Sequence, residues 1–123
     1  MREHFVVAFE DSFDARYGLE YVTYTHARAT FTEPPSTGVL AAVAESLAST
    51  GTAVEVLPSG CFPSGLSNAT YLVGEPRPGV HEAIARCRAR GELEWLWDVE
   101  IAPPGGALVA IATVAIAVRK RDV

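Results

Sequence analysis

One carboxylate stands out by its surroundings. Between Thr37 and Leu57 the chain reads T-G-V-L-A-A-V-A-E-S-L-A-S-T-G-T-A-V-E-V-L, and Glu45 is its only charge before Glu55. Taking a charged carboxylate out of water costs several kcal/mol unless it is paired. A glutamate in such a stretch is therefore either hydrogen-bonded for structure or kept for acid–base or nucleophilic chemistry. Ser49 follows four residues later and shares the face of Glu45 on a helix. Thr37 and Gly38 open the stretch. First-turn N–H groups lack intrahelical partners and sit at the positive end of the dipole, where an oxyanion can settle.

The elements that must position these groups follow from pattern. Ala and Leu favour helix, and Ser36 or Thr37 can cap it. The apolar residues of this helix run nearly all the way round it, which predicts a helix wrapped by protein on every side. Pro58-Ser59-Gly60 ends it. Before it, Leu19–Tyr24 and Ala27–Thr32 are rich in Tyr, Val, Thr and Phe and read as a strand pair, closed by Pro34-Pro35. After it come Gly65–Val73, Val80–Arg90, Leu93–Ile101 and Ala107–Val118, each bounded by Gly or Pro turns. Strict alternation puts Ala83, Ala85, Cys87 and Ala89 on one face of the second of these, with Arg86, Arg88 and Arg90 opposite. It likewise aligns Leu93, Trp95, Trp97, Val99 and Ile101. The last segment is apolar on both faces, as a central strand is. Phe5, Phe9, Phe13 and Tyr17, four apart, would line one face of an N-terminal helical element.

Composition bounds the function. The 123 residues make one domain, 1–123, 49% hydrophobic and 20% charged. A net charge of -5 argues against a nucleic-acid partner. Two cysteines, Cys61 and Cys87, make no disulfide framework and are expected reduced and buried. His4, His26 and His81 show no metal-ligand spacing, so no metal is expected. The Phe5–Phe9 run is too short for a signal-peptide core and Ala107–Val118 for a membrane span, so a cytoplasmic protein away from membranes is expected.

A strand pair, a long helix and an antiparallel run of strands give α+β architecture, a curled antiparallel sheet wrapped around one central helix. The chain resembles the hot-dog-fold acyl-CoA thioesterases, and is most similar to the 4-hydroxybenzoyl-CoA thioesterases with a glutamate on the central helix. The matching stretches are G-V-L-A-A-V-A-E-S-L-A-S (Gly38–Ser49), G-L-S-N-A-T (Gly65–Thr70), W-L-W-D-V (Trp95–Val99) and A-I-A-V-R (Ala115–Arg119), in order over most of the domain. The resemblance implies that Glu45 attacks a thioester carbonyl or activates the water that does. It implies that Ser49 positions the water or the glutamate, and that an N–H at Thr37 or Gly38 polarises the thioester oxygen. Coenzyme A would enter as part of the substrate, with no other cofactor. Arg88, Arg90, Arg119 and Arg121, with Arg86 and Lys120, are candidates for its phosphates; a solvated charged face is the plainer reading of each.

Thr37 and Glu45 lie roughly 12 Å apart along one helix, so a single carbonyl cannot touch both. The helix start of one subunit must then face the glutamate of another: a homodimer at least, with a homotetramer expected from the resemblance. The sequence also departs from the pattern. The family has a longer loop before the helix, ending in His-Gly-Gly and carrying a glutamine that helps hold the thioester. Here Ser36 stands for the histidine and Thr37 for the first glycine, and the glutamine has no counterpart; Glu92 and Leu93 occupy a turn where the family has small hydroxyl residues. Two functions are carried forward: hydrolysis of an aromatic or medium-chain acyl-CoA, and a non-catalytic hot-dog module that binds an acyl ligand or a partner protein. No His/Asp site supports a dehydratase. Ser67 and Asn68 are expected to fix strand pairing, and Trp95 and Trp97 to be core or interface.

Overall fold

The computed structural model describes residues 18–120. The aromatic series from Phe5 to Tyr17 and the candidate Arg121 lie outside them. Six strands form one antiparallel sheet: β1 (Glu20–Thr23), β2 (His26–Phe31), β3 (Cys61–Leu72), β4 (Gly79–Arg90), β5 (Glu94–Ala102) and β6 (Ala110–Lys120). Their order across the sheet is β1-β2-β4-β5-β6-β3, so β1 and β3 are the edges and β6 is interior. The one long helix among the described residues, α1 (Thr37–Val56), joins β2 to β3, on opposite sides of the sheet. It lies across the sheet, touching β2 to β6. Ser36 caps it, accepting the Val39 N–H at 3.2 Å, and a 3-10 turn over Leu57–Ser59 closes it.

Helix and sheet meet through interlocking apolar rows. Leu40, Val43, Ala44, Leu47, Ala48 and Val56 face Ala27, Ala29 and Phe31 of β2, Ala83 and Ala85 of β4, and the β5 row Trp95, Trp97, Val99 and Ile101. Small residues on β2 and β4 let the helix approach, and Trp97 fills the deepest point. Its indole N–H donates to Thr52 Oγ1 at 2.9 Å, and Thr52 donates in turn to the Ala48 carbonyl at 2.8 Å. A Cβ on Gly51 would sit 2.6 Å from the Trp97 ring, so only glycine fits beneath the indole. The Thr37–Ser59 segment has the length and hydropathy of a membrane span, but half of it is packed inside this core.

Three expectations are corrected. Leu93 does not continue the buried β5 row: it is 76% exposed, at the β4–β5 turn before the strand begins. Cys61 and Cys87 are free thiols, but only half-buried. Strict alternation also fails in β4. Its register against β5 slips between Cys87 and Ala89, where a bulge moves Arg90 opposite Trp95 and therefore onto the helix side, away from Arg86.

Candidate active site

The helix does not carry its candidate residues in an enclosed core. Its buried residues recur as a stripe from Leu40 to Val56, and the opposite face stays open. Gly38 and Glu45 are exposed, and Ala42 and Ser49 half-exposed. The expectation of a helix covered on every side is thus corrected for the single chain. Ala supplies the hydropathy of that face, and Gly and Ser add no charge to it and little bulk, so the sequence looks buried where the surface is only small-sided.

Glu45 points toward the edge strand. A Cβ built on Gly65 of β3 would fall 2.7 Å from Glu45 Oε2 and 3.3 Å from its Cδ. The carboxylate therefore rests in the space that this glycine leaves. Three residues on, the Asn68 side-chain N–H donates to the Ala41 carbonyl at 2.8 Å, one turn before Glu45, and Thr70 Oγ1 donates to Asn68 Oδ1 at 2.6 Å. Gly65 and Asn68 are an odd number of residues apart, so a regular strand would point them to opposite faces. A second bulge prevents this. The register against β6 slips between Gly65 and Ser67, pairing Gly65 with Ile116 and Asn68 with Val114, both on the helix side. Asn68 thus ties the strand to the helix, a larger role than the strand pairing expected of it. Gly65 carried a usable signal, since an isolated glycine within a strand marks a bulge or a close approach; the contact with Glu45 was not readable.

The helix start is equally open. The Val39 N–H goes to Ser36 Oγ and the Leu40 N–H to the Ser36 carbonyl. The amides of Thr37 and Gly38 precede these bonds and have no acceptor among the described residues. Both residues are exposed, so their N–H groups are accessible donors at the positive end of a 20-residue helix. Ser49 lies one turn beyond Glu45 on the same open face.

The cationic candidates separate into two sets. Arg88 grips Asp98 with two nitrogens, the Nε bond being 2.9 Å, and this pair holds the Asp98 carboxyl below the usual carboxylate range. Arg90 donates to Glu55 at 3.0 Å and lies over the Trp95 ring at 5.1 Å. Burial pushes the neighbouring Cys87 thiol up, partly offset by Arg90. Arg86 stands 3.6 Å from Glu100. Arg119 and Lys120 instead line an open groove of about 1080 Å³, with Cys61, Phe62, Leu66 and Val118 on its apolar side. Glu92 and Glu94 also line it, so its two cations are balanced by two carboxylates. Leu66, at the β3 bulge, belongs to the groove, and the adjacent Gly65 leaves the space in which the Glu45 carboxylate rests. Among the described residues, no group of three His, Cys, Asp or Glu side chains is placed to hold a metal ion.

Comparison with solved structures decides the architecture. No family profile matches the sequence. The thioesterase PA1618 of Pseudomonas aeruginosa superposes with a TM-score of 0.81 at 22% identity, over 89% of this chain and 87% of that one. The thioesterase SAV0944 of Staphylococcus aureus gives 0.79 at 18% identity, over 86% and 97%. BH2602 of Bacillus halodurans, solved with CoA, gives 0.79 at 14% identity, over 95% and 80%. The chain has the hot-dog fold. Within this fold the sheet curls around α1, and the Glu45 face of the helix lies beside β3, one of the two edge strands.

Proposed function

We propose that the protein is an acyl-CoA thioesterase in which Glu45 performs the central chemistry. One observation carries this: Glu45 is a solvent-reachable carboxylate on the uncovered face of an otherwise apolar helix, lodged in the space left by Gly65. As general base, Glu45 takes a proton from water, whose oxygen forms the new bond to the thioester carbon. The oxyanion is held by a helix-start N–H, of Thr37 or Gly38. On collapse the C–S bond breaks and the thiolate of CoA leaves with the proton from Glu45. As nucleophile, Glu45 would instead bond to that carbon and expel the thiolate, and water would then cleave the resulting anhydride. Ser49 orients the water or the carboxylate.

Because the donors and the carboxylate are roughly 12 Å apart on one helix, they belong to different subunits of a homodimer, and dimers pair into a tetramer. The β3 edge, with Leu66, Tyr71 and Leu72 exposed along it and no further strand beside it among the described residues, offers the second copy backbone to join. Arg119, with Arg121, is the phosphate contact; Arg88 and Arg90 are already engaged in ion pairs. CoA is seen in the fold neighbour BH2602, and two SAV0944 structures carry a glutamine or a glutamate replaced by alanine. The substrate is an aromatic or medium-chain acyl-CoA and the setting cytoplasmic.

Thiol release from a panel of aromatic and medium-chain acyl-CoAs tests this. The wild type should turn over and Glu45→Gln should lose at least a hundredfold in kcat, the scale of one general base. Equal rates in the two would remove Glu45 from the mechanism. A second reading, a non-catalytic acyl binder, draws on the short connection from Phe31 to Gly38, which holds neither the glutamine nor the His-Gly-Gly of the family resembled. It gains if acyl-CoA raises the melting temperature while no thioester is hydrolysed.

A further inference from the structure

Two linked hydrogen bonds and one hollow tie β3 to the Glu45 turn, and the thioesterase chemistry above leaves Asn68 and Thr70 without a role. The Asn68 amide reaches across from the strand to the Ala41 carbonyl at 2.8 Å. Ala41 is four residues before Glu45, so its carbonyl is also the acceptor of the Glu45 N–H in the helix ladder. Thr70 Oγ1 donates to Asn68 Oδ1 at 2.6 Å, which orients the amide with its N–H toward the helix. Gly65, on the same strand and the same side, leaves the hollow occupied by the Glu45 carboxylate.

We infer that Asn68, oriented by Thr70, is a positioning residue for Glu45: it fixes the distance between the Glu45-bearing turn and the Gly65 hollow. The bulge between Gly65 and Ser67 makes this arrangement. Without it, Gly65 and Asn68 would point to opposite faces, and one strand could not both seat the carboxylate and tether its turn. A fixed tether matters here because Glu45 is exposed and its side chain has three torsions free to wander. Misplacing a reacting group by about 1 Å costs up to roughly a hundredfold in rate. A plain brace between helix and strand would affect melting alone.

The inference rests on the thioesterase reading, and its test separates the two. Asn68→Ala and Thr70→Val are compared with Thr70→Ser, which keeps the hydroxyl. Kinetics are run well below each variant's melting temperature. Expected are a ten- to hundredfold fall in kcat for Asn68→Ala and Thr70→Val, KM within about twofold, and recovery in Thr70→Ser. Loss of melting temperature with kcat unchanged would overturn the inference. A crystal structure of Asn68→Ala judges it independently of activity. The Glu45 carboxylate should leave the Gly65 hollow or appear in several positions. A carboxylate still in place would overturn the assignment, whether or not thioesters prove to be substrates.

Discussion

Gly65→Ala is the smallest change that acts directly on the Glu45 site. Gly65 is not one of the glycines with a positive φ, so alanine can adopt its backbone conformation. The new methyl would lie 2.7 Å from Glu45 Oε2. Non-bonded heavy atoms settle near 3.5 Å, so the carboxylate must withdraw by about 0.8 Å. The atom in the way ends a flexible, exposed side chain, and the movement should cost little stability. A shifted rotamer costs about 0.5–1.5 kcal/mol, and alanine in place of glycine within a strand returns roughly 0.5–1 kcal/mol. Melting temperature should therefore stay within a few degrees of wild type. Activity should not. A displacement approaching 1 Å predicts a loss of roughly ten- to a hundredfold in kcat. Steady-state kinetics of thioester hydrolysis beside a thermal melt decides it. Full activity in a folded Gly65→Ala protein would refute the idea that this hollow sets the position of the reacting carboxylate.

Gly51→Ala should do the reverse. Its methyl would meet the buried Trp97 ring at 2.6 Å, a rigid neighbour. Overpacking should cost about 1–3 kcal/mol in chemical denaturation, with kcat of the folded protein preserved. Asp98→Asn tests the outer-face ion pair. The Arg88 hydrogen bonds lower the Asp98 pKa, so the pair's contribution is complete above the ordinary aspartate range and is lost as pH falls through the folded value. Both partners are about half exposed (side chains 55% and 46%), so the loss at neutral pH should be under about 1 kcal/mol. The gap between wild type and variant should close in acid, and a gap independent of pH would exclude this pair as its source. Thr37→Pro removes a helix-start N–H at a position where proline suits a helix, and Ser36 before it is already extended at φ -76 and ψ 163. Mixed one to one with Glu45→Gln, it should restore about a quarter of wild-type activity, since half the dimers are hybrids with one intact site of two. With Thr37→Pro itself inactive, activity no higher than the average of the two parents would place donor and carboxylate in one chain; an active Thr37→Pro would assign the donor to Gly38.

Much of this arrangement was legible because it rests on local chemistry. The strand order in the chain, the Ser36 cap, the buried β5 row from Trp95 to Ile101 and the interior β6 follow from turn residues and periodicity, and the bounds of each element moved by only a few residues. What escaped was wherever the period broke or a surface was not what its hydropathy implied. Alternation assigns Arg90 to the face of Arg86, and Gly65 and Asn68 to opposite faces. Two bulges, in β4 and β3, reverse both assignments. A bulge depends on pairing across the sheet, which no single strand's sequence encodes. The helix face around Glu45 misled for another reason: Gly38, Ala42 and Ser49 are small enough to lie in a core or under an approaching partner. Hydropathy measures the cost of exposing a side chain and is silent on which molecule will cover it. The same smallness that made the face look buried is what leaves Glu45 open to solvent while its carboxylate rests in the Gly65 hollow.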